Sequence, residues 1–445
     1  MISSIGLVLA IALLLCLFHR GLFPWVVSGA GAFTATVAVI VGGNGVLPFY
    51  AAMLAVTALM VIRAPLGLKS LIPKGPGWLP LTAFIVWSLL ITLLAPMLFA
   101  GIPVLLPRGG IDEQIAAPSP LTYTISNLAQ IVYLLLGFAT VVFLAKSKKL
   151  LPSMASTLFW FGTGLSAMNF MMNRLGIPWP AVFDNSPNVR YISFDTDGVT
   201  PRFRGIFAEP SGLALFSLTA LVFFVASSFH DTGRARIAGV AGSLLSVFLI
   251  VEGASGTAVA GAAVVALVLG FLLLMRFVAL RSRWSPVVVV TALVLFTAFL
   301  FYGNALMQSV GEIVEVKLDS SSFDVRTAAN EMSLKIMVDT LGLGSGLGSS
   351  RSGSLYTMLL SCVGVPGLAL FLWAMLTLII GAWREPAWRS TALALAAFLL
   401  IKTVSGGNLS DPPLWILSGL CAYATWNPTS EANFDLKESS VMKRT

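Results

Sequence analysis

The chain has 445 residues, of which 57% are hydrophobic and 10% charged, with a net charge of +8 and a mean hydropathy of +0.91. Soluble domains carry about 25% charged residues, so this composition excludes a soluble globular protein and a soluble nucleic-acid binder. The three cysteines, Cys16, Cys362 and Cys421, all lie in apolar runs, which excludes a disulfide framework or a zinc-ligand spacing.

Apolar runs of roughly 20 residues, each long enough to cross a bilayer core as a helix, recur from end to end. They place spans at 2–18, 24–42, 46–62, 78–101, 122–145, 153–172, 210–229, 236–252, 254–275, 286–304, 354–382, 389–405 and 412–426. The expected fold is an all-α polytopic membrane protein of about 12–13 transmembrane helices. It forms one transmembrane domain over 1–426, followed by a polar cytoplasmic tail at 427–445. The first run, Ile2 to Phe18, lacks a basic region before it and an A-x-A-like site after it, so it reads as a retained helix.

Basic residues orient the spans. Arg20; Arg63, Lys69 and Lys74; Lys146, Lys148 and Lys149; Arg234 and Arg236; Arg276, Arg281 and Arg283; Arg384 and Arg389; and Lys437, Lys443 and Arg444 occupy alternate connections and the tail. Cytoplasmic loops collect Lys and Arg, so these mark the inside face and account for the net charge. The N-terminus is then outside. The weakest turn in this map is the hairpin at Glu252–Ser255. Two long loops, about 173–209 and 305–353, fall outside, with a smaller one at 102–121. Loops of that length inside a compact fold are functional or disordered, and these hold charges, glycines and aromatics.

The first long loop carries Arg174, Arg190, Arg202 and Arg204, then Glu209-Pro210-Ser211. Proline favours the first helical position, so Pro210 starts a helix with Glu209 at its N-cap. The free amides and dipole of that end favour an anion, and Arg202 and Arg204 suit bidentate phosphate contacts. The plain alternative is a cap residue paired with a loop arginine. Asp195-Thr196-Asp197 has the D-x-D form of a metal site, but on the face away from cytoplasmic nucleotide sugars.

In the second long loop, Ser321-Ser322-Phe323-Asp324 reads as a capping box, and Val325 to Leu341 as an amphipathic helix on or near the outer membrane surface. Glu331, Lys335 and Asp339 supply i,i+4 charge pairs along it. Gly342-Leu343-Gly344-Ser345-Gly346-Leu347-Gly348 follows, flanked by Arg326 and Arg351. Alternating glycines suit either a phosphate-holding nest of amides, Gly344 and Gly346 included, or a flexible turn. Lys402, near a span end before Gly406-Gly407-Asn408, either snorkels or takes an accessory role, as does Arg190. The only histidines, His19 and His230, map to the inside face.

Arg202-Phe203-Arg204-Gly205 leading into Glu209-Pro210-Ser211, and Arg326 followed after fifteen residues by Gly342, Gly344, Gly346 and Gly348, resemble the bacterial O-antigen polymerase and ligase superfamily, which includes Wzy-type polymerases. The motif-bearing match covers roughly 200–215 and 320–370. The resemblance implies a GT-C-like helical fold in the bacterial inner membrane with its active site on the periplasmic side. It implies transfer of a glycan from undecaprenyl pyrophosphate to another sugar, and a chain-length regulator as a possible partner. Arg202, Arg204, Arg326 and Arg351 would then meet the pyrophosphate, and Glu209 would accept a proton or orient the acceptor. The helix N-terminus and nearby arginines favour its carboxylate form and weaken it as a base. The scheme calls for no metal and no cofactor. Ligases of the superfamily look as if they use a histidine outside, which this chain lacks, so the resemblance favours a polymerase of O-antigen or exopolysaccharide. Ligase is the first alternative. A secondary transporter, the second, would place ionisable residues within spans and broken helices in internal symmetry.

Overall fold

A computed structural model describes residues 1–62, 75–106, 117–147, 150–187, 189, 191, 202–253, 255–266 and 321–427. Helix dominates, as a bilayer demands of a chain whose backbone groups find no water. In chain order the helices are α1 (Ser4–Phe18), α2 (Phe23–Ala30), α3 (Pro48–Ile62), α4 (Trp78–Leu98), α5 (Ile125–Ala145), α6 (Ser153–Arg174), α7 (Pro210–His230) and α8 (Gly233–Gly253). After them come α9 (Gly256–Ala266), α10 (Ser321–Asp339), α11 (Leu355–Arg384), α12 (Arg389–Ile401) and α13 (Pro412–Trp426). Five of these, α4, α5, α7, α8 and α11, are long and apolar enough to cross a membrane, and α1, α3, α9 and α12 are shorter apolar helices. The protein is an all-α, membrane-embedded chain.

The helices pack as neighbours in pairs: α7 on α8, α5 on α13, α4 on α11 and α12 on α7. Small residues let the pairs approach. Gly137 of α5 faces Trp415 of α13 so closely that a Cβ there would lie 2.3 Å from the indole. Trp415 is fully buried, and its Nε1–H donates to the Leu409 carbonyl (2.7 Å), so the ring fills the seam without leaving a polar atom unpaired.

Among the described residues five of the expected spans are helices long and apolar enough to cross a membrane, and the one expected at 24–42 is not a continuous helix at all. Residues 24–42 form only the short α2, then irregular chain, then a hairpin of β1 (Val39–Val41) and β2 (Asn44–Val46) turning at Gly42 and Gly43. Both glycines have positive φ, the conformation a two-residue hairpin turn requires. Hydropathy alone misread this stretch because its backbone partners are distant. Thr36 donates to the Phe183 carbonyl (2.8 Å), and Asn185 both accepts from and donates to Val37 (2.7 and 2.9 Å). The span 389–405 is also shorter than expected, since helix α12 stops at Ile401. The span 286–304, most of 254–275 and the tail from 428 lie outside the described residues.

These contacts gather the connecting segments at one end of the bundle. The N-terminal amine meets Ile40 (2.9 Å), the 36–38 stretch meets 183–185, and Tyr50 at the head of α3 donates to Ser410 (2.8 Å). The Leu355 amide donates to the Lys402 carbonyl (3.1 Å), and the Arg351 amide to Leu105 (2.8 Å). The described parts of these segments, all read as outside loops, therefore share an end. His19 and His230 close the opposite ends of α1 and α7.

Replacing Trp415 by Ala empties the α5–α13 seam and is expected to cost about 3–5 kcal/mol of stability. The change is measured as a lowered thermal midpoint in detergent, with Trp415→Phe losing much less.

Candidate functional site

Helix α11 is broken near its N-terminal end. Gly364 has φ 68° and ψ −172°, outside helical space, and Pro366 follows. Proline has no amide to return to the carbonyl four residues back, so Cys362 is left with an unused acceptor. The Val365 amide turns away to the Gly342 carbonyl (2.9 Å), which releases Ser361 as well. The glycine run fills both vacancies: Ser345 donates to Ser361 and Gly346 to Cys362, each at 2.8 Å.

The remaining amides of the run are also engaged. Gly342 donates to Met337 (2.8 Å), Gly344 to the Thr340 hydroxyl (3.1 Å) and Leu347 to the Thr92 hydroxyl of α4 (2.9 Å). From the α5 side, Asn127 donates to the Leu347 carbonyl (2.7 Å) and the Ser349 hydroxyl (2.8 Å), while its oxygen caps α5 by accepting from Thr124 (2.7 Å). Residues 344–350 are buried. A Cβ at Gly344 would lie 2.5 Å from the Cys362 carbonyl, and one at Gly348 2.6 Å from that of Ser126. The run is neither a flexible turn nor a phosphate nest. Gly344 and Gly346 spend their amides inside the protein, and the alternating glycines exist because α4, α5 and α11 leave room for backbone only.

Arg204 also has a partner that sequence spacing did not reveal. Its guanidinium forms a two-pronged pair with the carboxylate of Asp184, with Nη1 to Oδ1 at 3.2 Å and Nη2 to Oδ2 as a close ion pair. Nη1 also donates to the Phe207 carbonyl (2.9 Å), and the cation sits 4.8 Å from the centre of the Tyr191 ring. Tyr191 donates in turn to Ala35 (2.8 Å) and accepts from the Ser186 amide (2.9 Å). Burial pushes its phenol above the ordinary range, so it remains a protonated donor. Arg204 thus ties distant parts of the first long loop together, and Tyr191 links the loop to Ala35 in the N-terminal segment.

Pro210 opens α7 and Glu209 occupies the N-cap with extended backbone, as the order of residues leads one to expect. The Glu209 side chain does not bond the helix amides. It accepts a short hydrogen bond from the Ser211 hydroxyl, which fixes the carboxylate at the helix mouth. Arg202 and Glu209 are half-buried at this mouth.

Helix α10 brings Arg326 beside the segment that leads into α11. Asn330, one turn on, accepts from the Gly353 amide (2.9 Å) and the Thr357 hydroxyl (2.7 Å), pressing Gly353 against the backbone of Arg326. Arg326 and Arg351 are half-buried there, and burial disfavours the charged form of Arg351. The side chains of 321–323 lie outside the described residues, and so do Arg190 and Asp195-Thr196-Asp197.

Lys402 does not snorkel. It is 2% exposed, ion-paired with Asp411 at the N-cap of α13, and donates to the Gly406 carbonyl (3.1 Å). A buried ammonium without such partners would be lost to deprotonation or to unfolding. The turn it closes lies against Ser352 and Ser354, where a Cβ on Gly407 would come within 2.6 Å of the Ser352 carbonyl.

No family model matches the sequence, and no curated protein matches it. The resemblance drawn from the motif residues stands on those residues alone.

Two measurements check these assignments. Arg204→Ala and Asp184→Asn should destabilise the loop to similar extents, with a double-mutant coupling of about 1–3 kcal/mol in thermal or denaturant unfolding. Gly344→Ala forces a positive-φ alanine against the Cys362 carbonyl, and should lose roughly 2–5 kcal/mol in the same assay with anion binding playing no part.

Proposed function

We propose that this chain is a membrane glycosyltransferase that polymerises lipid-pyrophosphate-linked oligosaccharide repeat units into O-antigen or exopolysaccharide on the periplasmic side of the bacterial inner membrane. The supporting observation is two sets of half-buried polar groups in segments read as outside loops: Arg202 with the fixed carboxylate of Glu209 at the mouth of α7, and Arg326 with Arg351 before α11. Helices α4, α5, α7 and α13 carry no Asp, Glu, Lys or Arg along their length. That distribution suits chemistry at a membrane surface better than an ion pathway through the bundle, and so favours an enzyme over a secondary transporter.

In the proposed reaction an acceptor hydroxyl oxygen bonds to the anomeric carbon of the donor as the bond to the pyrophosphate oxygen breaks. The hydroxyl proton passes to Glu209 or through it to water, and the lipid pyrophosphate leaves with the bonding pair. Charge grows on that leaving group, so prepositioned guanidinium groups lower the barrier most. Arg202, Arg326 and Arg351 take this role. Arg204, through Asp184 and Tyr191, holds the loop that presents Arg202 and Glu209. A ligase would use the same leaving group and a different acceptor.

The test is glycan length on a gel, using purified protein in lipid with an undecaprenyl-pyrophosphate-linked repeat unit. Wild type should give a ladder, and Arg326→Ala should slow it about 100- to 1,000-fold. Glu209→Gln should slow it while leaving thermal stability nearly unchanged, whereas equal activity would reduce Glu209 to a structural partner of Ser211. Transfer to a lipid A–core acceptor without a ladder would identify a ligase.

A further inference from the structure

Helix α10 has three faces. Ile336 points inward onto Val104 and Leu121, with Met332 and Phe99 beside it. Asp324, Glu331, Lys335 and Asp339 form an exposed charged face. The third face is apolar and not covered by the described residues: Leu334 is 46% exposed and Val338, one turn on, 63%, and Leu341, just past the helix end, is 83% exposed.

Leu341 is the unusual member. It ends the helix in a left-handed conformation (φ 53°), the sole non-glycine residue with positive φ among the described residues. The Gly342 amide reaches back to Met337 (2.8 Å) and the Leu341 amide to Val338 (2.9 Å), the paired bonds of a Schellman cap. Glycine is the usual occupant of that position because a side chain there is strained. Here glycine comes one residue later, and a large apolar side chain is held outward at the strained position.

The stripe continues a surface that a bilayer already explains. A Cβ on Gly342 would touch Val365 of α11 at 3.6 Å, and Val365 is 51% exposed. From there Trp373, Leu376 and Ile380 carry an exposed apolar edge down a helix long enough to span a membrane. We propose that the Leu334–Val338–Leu341 edge of α10 is inserted among the acyl chains of the leaflet at the loop-bearing end, with Leu341 as its anchor and the charged face turned to headgroups and water. The amphipathic pattern of the sequence points to a surface helix, and the structure names the face and the partner. The proposal depends on the membrane alone, and does not require the glycan reaction.

The test uses single cysteines at Val338→Cys and Leu341→Cys, labelled with an environment-sensitive fluorophore in protein reconstituted into phosphatidylcholine vesicles. Lys335→Cys serves as the polar-face control. The native cysteines are buried, so unmodified protein is the labelling blank. Labels at 338 and 341 should be quenched at least twofold by dibrominated acyl chains and shielded from aqueous iodide, and the label at 335 should show the reverse. Iodide quenching at both 338 and 341, or protection of both from either quencher, would overturn the proposal. Disulfide-linked dimers of the Leu341→Cys protein would assign the stripe to a second copy and overturn it as well.

Discussion

A backbone amide or carbonyl placed among apolar helices has no water to bond, so each must find its partner inside the protein. That constraint explains why the irregular segments at the loop-bearing end look as they do. The 37–38 backbone is satisfied by Asn185, Ser3 and Val46, and the 342–349 run by α4, α5 and the opened carbonyls of α11. Where a helix gives up its ladder, another segment repairs the loss with matching groups. Asn127, Thr92 and Thr340 are polar side chains in apolar surroundings, and each spends its polarity on this repair.

The same economy governs charge. Arg204 with Asp184, and Lys402 with Asp411, are acid–base pairs joining segments that are distant in sequence or separated by a tight turn. Their value lies in where they hold the chain, since taking two charges out of water recovers little net energy. Arg202 and Glu209 flank Arg204 in the sequence at the mouth of α7, and Arg351 precedes the Ser352 carbonyl against which the Lys402 turn packs. Positioned charge at the edge of a low-dielectric bundle interacts more strongly with an anionic group than the same charge in a solvated loop.

Much of the fold is legible in the sequence, because length and hydropathy are enough to mark a membrane helix. The starts of α7 and α13 are legible too, since an acid followed by proline names a helix N-terminus. Helix α10 follows from its charge pairs and apolar spacing. What escaped was non-local. An apolar, glycine-containing stretch such as 24–42 has the hydropathy of a span, and only its bonds to 183–185 reveal that it is not one. The glycine run was misread because alternating glycines signal backbone freedom, and close packing of backbone against helix calls for the same residue. Gly364-Val365-Pro366-Gly367 carried the missing signal: a proline inside a span predicts an unused carbonyl, and a nearby glycine run is the segment that can approach it. Asp184, as partner of Arg204, had no local cue.

The break in α11 has a mechanical corollary. Because proline can never return an amide, the acceptor at Cys362 is permanent, and no rotation of α11 about its own axis can reclaim it. The glycine run sits in that notch like a key in a keyway, and Thr340 and Asn330 continue the grip onto α10. The head of α11, the run and α10 therefore form a single stiff block. A displacement of α10 moves Arg326 together with Gly353 and the segment that carries Arg351.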